Sequence, residues 1–409
     1  MPTRLRLDLG RLQLLRLSPA RLPWALALTQ LVSWGVIYYS FSIFLLPMER
    51  ELGWSRQELL NALSLGLLAA GAAAPWAGAV IDREGGRRLM SAGSLLASLL
   101  LVAWAWVDSQ PAFYAIWIGL GFCQAATLYE PAFAVLNRQL HDQADRAIVK
   151  VTLVAGFAST VFIPLTQVLT SSLSWRPALC VLSLLNLLIC LPLHLALPSA
   201  PPRAAKKFTR QQAGLVLRNL AFWGLLLNSV ANGLVFNAFT FHGIPLLLEQ
   251  GLTATTAVTV MAVIGPSQVL GRIFMLVQTR HITPTRIGRI AGFLLPLGLT
   301  AFFLVPTPVQ AGFIFAILYG ASNGINTILR GTATAELLGR ENYGVVNGLI
   351  ATPTAVARSL APALAAILWT RAGNYQALIY ALLAISTAGA IAFWVASVQK
   401  STVLTIRRI

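Results

Sequence analysis

Four ionisable side chains fall inside long apolar runs of this 409-residue chain: Glu130, Arg272, Arg330 and Arg358. Charges in such surroundings are costly, and they face protein or a water-filled cavity rather than lipid. Three of the four are positive, which suits an anion. A guanidinium is also well shaped for a carboxylate, because its fork donates two parallel hydrogen bonds.

Depth separates the four. Arg358 lies close to the middle of its run, where snorkelling to an interface is difficult. Asn347, Thr354 and Arg358 are spaced at i, i+7 and i+11 and share one helical face, like a cavity wall. A structural ion pair with Glu130 is the competing reading. Arg272 follows Gln268 by one turn near the inner end of its run, so it can contact substrate or snorkel. Arg330 shares a polar stripe with Tyr319, Asn323, Asn326 and Thr327, but lies nearer the end and reads as an inner-gate or interfacial arginine. Glu130 precedes Pro131, which bends a helix and frees a carbonyl. It is a candidate proton carrier or ion-pair partner. Neutral groups add to the wall: Asn228, Asn232 and His242 on one face of a run, Asn237 and Thr240 on another, and Thr152, Ser159 and Thr166 elsewhere. His242 is placed for an outer-gate hydrogen bond. The candidate substrate contacts are Arg358, Arg272, Tyr38, Asn232, Asn323 and Thr354.

The elements that position these residues follow from composition. The chain is 57% hydrophobic and 11% charged, with mean hydropathy +0.72. Soluble domains are about 25% charged. Twelve stretches are long enough to cross a bilayer. They lie near 23–48, 57–80, 88–107, 112–136, 148–170, 175–196, 219–247, 254–277, 287–306, 309–332, 343–368 and 375–397. Lipid tolerates no unpaired backbone, so the expected fold is an all-α membrane protein. Only Arg50, Arg56, Arg176 and Arg371 of the 30 Lys and Arg fall in the loops of one side. The positive-inside rule then places both termini in the cytoplasm, as in a bacterial inner membrane. The net charge of +17 is thus topological, and nucleic acid is excluded as a partner. The basic start runs straight into a full span without a small-residue cleavage site. Cys123, Cys180 and Cys190 read as packing residues, and four scattered histidines make no metal site. No zincin, nucleophile-elbow or phosphate-loop motif occurs, so neither an enzyme nor a cofactor is expected.

The chain also repeats itself. Pro47, Glu51, Gly53 and Ser55 recur as Pro245, Glu249, Gly251 and Thr253. Tyr114–Gly119 and Phe315–Gly320 share an aromatic-Ala-Ile-x-x-Gly pattern. A Pro-rich basic segment separates the halves. The expected organisation is a tail 1–22, a six-helix bundle 23–196, a linker 197–218, a second bundle 219–397 and a tail 398–409.

Charge concentrates in GAVIDREGGRRLM, residues 78–90, between the second and third spans. Gly78, Asp82, Arg83, Gly85, Arg87 and Arg88 fit G-x-x-x-D-[RK]-x-G-x-[RK]-[RK]. This resembles the signature loop of the major facilitator superfamily. The resemblance covers essentially the whole chain. It implies twelve helices in two six-helix bundles, with the first, fourth, seventh and tenth lining a cavity. It also implies that the loop is a gating element that braces the bundles against the eleventh helix. A monomer is the family default.

Within that superfamily the chain looks like the monocarboxylate porters and oxalate:formate antiporters. There a basic residue on the eighth helix, and in the oxalate carriers another on the eleventh, engages a carboxylate; Arg272 and Arg358 stand at corresponding places. The acid that proton-coupled porters carry one turn before the first is here Gln268, and the first span has Tyr38 and Tyr39 but no lysine. The expected function is secondary transport of a small organic anion, with a proton or an exchanged anion as co-transported species. The alternative is efflux of hydrophobic or cationic compounds. Against it, the fifth span lacks the G-x-x-x-G-P-x-x-G-G pattern of many exporters, and no arginine lies between 112 and 136.

Overall fold

The computed structural model describes residues 17–140, 143–198, 216–279, 281–338 and 343–398; the side chains of Asp82, Arg83, Arg330 and Asn347 also lie outside that description. So do most of the expected tails and linker. The described residues build twelve long helices and no strand. They are α1 Leu22–Leu52, α2 Arg56–Glu84, α3 Gly86–Ala105, α4 Gln110–Leu140, α5 Ala144–Ala155 with Ala158–Leu173, and α6 Trp175–Leu195. The second half comprises α7 Leu220–Glu249, α8 Ala254–Gln278, α9 Pro284–Leu304, α10 Pro308–Leu338, α11 Tyr343–Ala372 and α12 Gln376–Val398. Eleven meet the length and hydropathy of a membrane span among the described residues. The twelfth, α2, has 29 residues and is long enough at about 1.5 Å per residue. The face carrying the α2–α3 turn also carries the start of α1 and the end of α12, and is called the terminal face below.

The sequence repeat becomes a repeated joint at the opposite face. Gly53 and Gly251 end α1 and α7 at φ 67° and 92°, where a side chain would be strained. Ser55 starts α2 with a capping box to Glu58, and Thr253 starts α8 by accepting from the Thr256 amide. Glu51 binds Trp175 Nε1 at 2.6 Å and Arg176 Nε at 2.7 Å, fastening α1 to the start of α6. Glu249 binds the Tyr375 amide at 2.6 Å and Trp369 Nε1 at 3.2 Å, fastening α7 to the α11–α12 turn. The same acid thus does the same work in each half.

Within a bundle, glycines let backbones touch, the packing that replaces hydrophobic attraction in lipid. A Cβ on Gly121 of α4 would lie 2.0 Å from the Gly66 carbonyl of α2; one on Gly324 of α10 would lie 2.1 Å from the Gln268 carbonyl of α8. At the terminal face Gly85 turns α2 into α3 at φ 82°. Arg138 of α4 donates to the Ile81 carbonyl at 2.9 Å, a cation at a helix C-terminus. Arg88 pairs with Glu84 at 3.6 Å on an exposed surface, and Arg87 is half-buried.

Among the described residues, three helix pairs make the main contacts between the bundles. Tyr38 of α1 donates to Asn237 Oδ1 of α7 at 2.5 Å. Along α2 and α11, Gly71 faces Ala355 and Gln57 donates to the Ala363 carbonyl at 3.3 Å. Between α5 and α8, Thr160 donates to the Ala262 carbonyl at 3.0 Å. Pro266 sits four residues after Ala262 and has no N–H, so that carbonyl lacks its helical partner and is open to a neighbour.

Candidate functional site

Helix irregularities place the polar side chains. Over Trp34–Tyr39, α1 widens into a π-helix, with the Ser40 amide bonded to the Gly35 carbonyl at 3.0 Å. Such bulges re-aim side chains at functional sites. Tyr38 is thereby directed at Asn237 and lies near enough to Arg358 to feel its charge; Tyr39 turns toward Gln268 and Arg272. Helix α4 breaks at Leu128, where ψ is −155°. Pro131 explains the break: it leaves the Thr127 carbonyl unpaired, and Gln30 Nε2 fills that vacancy at 2.6 Å.

Arg358 stands at a cleft of about 50 Å³ between α7, α10 and α12, lined also by Asn228, Ser229, Asn232, Asn323, Asn326 and Thr327. A water needs about 10–15 Å³ on this measure, so the cleft holds a few waters or one compact ion. The amides are organised. Asn232 Nδ2 donates to the Asn228 carbonyl at 2.8 Å, and Asn326 Nδ2 donates to Asn232 Oδ1 at 3.2 Å, joining α7 to α10. Arg358 Nε is buried with no partner, and no salt bridge among the described residues reaches its guanidinium. Its stem rests on Gly233, where a Cβ would come within 3.0 Å of Arg358 Cγ. Hence Arg358, Asn232 and Asn323 come together as one polar wall. Thr354 is buried beside them, donating to the Ile350 carbonyl at 2.7 Å, and does not line the cleft.

Arg272 lies elsewhere. It is buried against α5, its Nη1 donating to the Thr152 carbonyl, with Tyr129 close by. Helix α5 is interrupted at Gly156–Phe157, and a Cβ on Gly156 would sit 2.7 Å from Arg272 Nη1. The glycine thus makes room for the guanidinium beside the end of a helical segment. The two arginines flank α1 rather than share one pocket. Glu130 is exposed and forms no salt bridge with either, so the ion pair weighed for Arg358 is not formed. Ser159 and Thr166 are buried with unpartnered hydroxyls.

At the opposite face, His242 Nδ1 lies 2.9 Å from Tyr375 Oη and Nε2 lies 3.0 Å from the Pro362 carbonyl. His242, read as an outer-gate hydrogen-bonding residue, makes both of these bonds to groups of the second half. Arg56, read only as an outer-loop charge, reaches Tyr375 at 2.9 Å. No sequence signal linked residues so far apart.

Residues 26–362 match the model of the Major Facilitator Superfamily. The chain belongs to that superfamily. Two curated relatives are Monocarboxylate transporter 11 of Mus musculus, 26% identical over 364 residues covering 85% of this chain and 80% of that protein, and Monocarboxylate transporter 11 of Homo sapiens, 26% identical over 79% of this chain and 71% of that protein. Among solved structures, the nucleoside transporter NupG superposes with TM-score 0.74 at 15% identity, covering 92% of this chain and 99% of that one. A bacterial homologue of the human lysosomal transporter Spinster, in an inward-facing and occupied conformation, gives 0.69 at 14% identity, covering 92% and 96%. These likenesses establish the fold: twelve helices in two six-helix bundles. A major facilitator protein is a multi-pass membrane transporter of a small molecule, not an enzyme, and this one resembles the monocarboxylate branch.

Proposed function

We propose that this major facilitator protein is a secondary transporter of a small organic anion of monocarboxylate type. The observation that carries the reading is Arg358, a half-buried guanidinium without a counter-charge among the described residues, at a cleft too small for a drug-sized molecule. A carboxylate there accepts two N–H bonds from the fork, while Asn232 and Asn323 offer neutral partners to its remaining polar atoms. Tyr38 and Thr354 make their hydrogen bonds elsewhere, to Asn237 and Ile350, and would reach the anion only in another conformation. The 26% identity to Monocarboxylate transporter 11 agrees in substrate class.

The same charge gives a reason for coupling. Rocking the bundles with Arg358 empty would bury an unpaired cation, which costs several kcal/mol. An anion neutralises it, so loaded and empty carriers differ in their ease of switching. Glu130 is the acid set deepest in the sequence's apolar runs, and it serves as proton carrier if a proton is co-transported; otherwise an exchanged anion returns. In this reading Arg272 joins the anion only after leaving Thr152, and the loop from Gly78 to Arg88 gates at the terminal face. Both termini are cytoplasmic, the membrane is a bacterial inner membrane, and the transporter acts as a monomer.

The test is counterflow in proteoliposomes with labelled oxalate, formate, lactate and pyruvate, and a cationic dye alongside. Counterflow requires no knowledge of the coupling ion. Carboxylate exchange that disappears in Arg358→Gln supports the proposal. Exchange of the dye alone would replace it with efflux of cations.

A further inference from the structure

We propose that Arg56 is the latch that holds the opposite face closed, and that transport requires it to release. Arg56 begins α2 in the first bundle, yet its partners lie largely in the second. Its guanidinium lies 4.3 Å from the centre of the Trp369 ring, and Nη1 donates to Tyr375 Oη at 2.9 Å. Nη2 meets Glu49 at 3.1 Å, which holds the cation in place from its own side. The side chain is 11% exposed, so this is a largely desolvated contact rather than a surface pair.

Beyond Arg56 the hydrogen bonds have a fixed direction. The Pro362 carbonyl can only accept, so His242 Nε2 carries the proton and Nδ1 accepts from the Tyr375 hydroxyl. The chain therefore runs from Arg56 to Tyr375 to His242 to Pro362 without an unpaired atom, an arrangement in which each bond polarises the next. It ends one helical turn from Arg358 on α11. Closure at the opposite face and the shape of the anion cleft thus share a helix.

Comparison of the halves shows that this contact is an addition. In the first half, Arg176 starts α6 and binds Glu51 and Asp108 inside its own bundle, at 2.7 and 2.8 Å. In the second half Tyr375 stands just before α12, bound to Glu249 as Trp175 is bound to Glu51, and the cation there comes from the other bundle. A bond within a bundle survives rocking, whereas one between bundles must break in every cycle. Arg56 therefore weights the equilibrium toward the closed opposite face without touching substrate.

Cross-linking tests this without any substrate, so its outcome is independent of the anion proposal. Gln57 and Ala363 meet across the bundles at 3.3 Å. Cysteines at both positions, in a Cys180→Ser background, are treated with a short bis-maleimide. Arg56→Gln is expected to slow cross-linking about tenfold or more, from the loss of charge-assisted bonds. Tyr375→Phe, which removes one hydroxyl, should slow it less, and Arg176→Gln should leave it unchanged. A normal rate in Arg56→Gln would overturn the proposal. So would equal slowing by Arg176→Gln, which would mark a general structural effect. If Arg56→Gln fails to fold, as judged by size-exclusion elution, the comparison of Tyr375→Phe with Arg176→Gln decides.

Discussion

Replacing Arg358 by Gln separates binding from structure more cleanly than any other change. Among the described residues the guanidinium has no salt bridge and its Nε has no partner, so the substitution breaks no described polar contact. It also removes a half-buried charge. Stability should therefore stay level or rise. Had Arg358 been one member of a buried ion pair, the loss would be about 3–5 kcal/mol. Anion binding should fall sharply. Two bonds from a charged donor contribute about 1.5–3 kcal/mol each, and a glutamine amide restores one neutral bond of about 1 kcal/mol. The net loss is about 2–5 kcal/mol, or roughly 30- to 4,000-fold in affinity at 1.4 kcal/mol per decade. Arg358→Lys keeps the charge but not the fork and should fall between. The assay is saturation of carboxylate counterflow, with melting temperature of the purified protein measured alongside. Exchange within threefold of the parent would refute the reasoning. A melting temperature lowered by several degrees would show that the arginine is held by groups that must then be left unpaired.

Arg272→Gln should do the reverse, lowering melting temperature and slowing exchange more than it weakens affinity, because Arg272 ties α8 to the Thr152 carbonyl of α5. Paired melting curves and half-saturation measurements check this. Tyr38→Phe leaves Asn237 Oδ1 without its 2.5 Å donor, a cost of about 1–3 kcal/mol that should appear as a lower melting temperature. Gly121→Ala drives a Cβ to 2.0 Å from the Gly66 carbonyl and should destabilise by about 1–3 kcal/mol, whereas Gly78→Ala meets nothing within 4 Å and should melt as the parent does. Lost exchange with normal melting in Gly78→Ala would locate its role in another conformation.

What the sequence disclosed and what it hid divide along contact range. Apolar runs show the spans because a bilayer imposes a length. The repeated Glu, Gly and hydroxyl residues show the halves because each joint is local. Pro131 even marks where α4 must break. Depth along a run likewise singled out Arg358, and spacing put Asn323 and Asn326 on one stripe. Partner choice was not legible. Glu130 was as good a mate for Arg358 as any until the structure left it exposed on α4. Arg272 had equal claims to substrate and interface, and its place was decided by Gly156, a small residue on another helix. The π-helix of α1 has no periodic signature in an apolar run, so the separate aims of Tyr38 and Tyr39 were invisible. Charge counting put Arg56 in a loop because counting cannot see a ring more than 300 positions away.

The distribution of charge between the halves then bears on how the transporter divides its labour. The arginines inside spans, Arg272, Arg330 and Arg358, all belong to the second half. The first half answers with neutral groups: Tyr38 at Asn237, the Thr152 carbonyl at Arg272, Thr160 at Ala262. Among the described residues, its charged contribution across the interface is Arg56, at the rim. Thus the second bundle carries these positive charges, with Arg358 the deepest, and the first supplies dipoles that can let go of them. A dipole facing a guanidinium is held by about 1.5–3 kcal/mol, well under the cost of stripping a partner from a buried ion pair. Bundles joined through such bonds can separate on each cycle; bundles joined by buried ion pairs at the same places would stay shut. On this argument, adding a carboxylate opposite Arg358, as in Tyr38→Glu, should trap one conformation and stop exchange while raising the melting temperature.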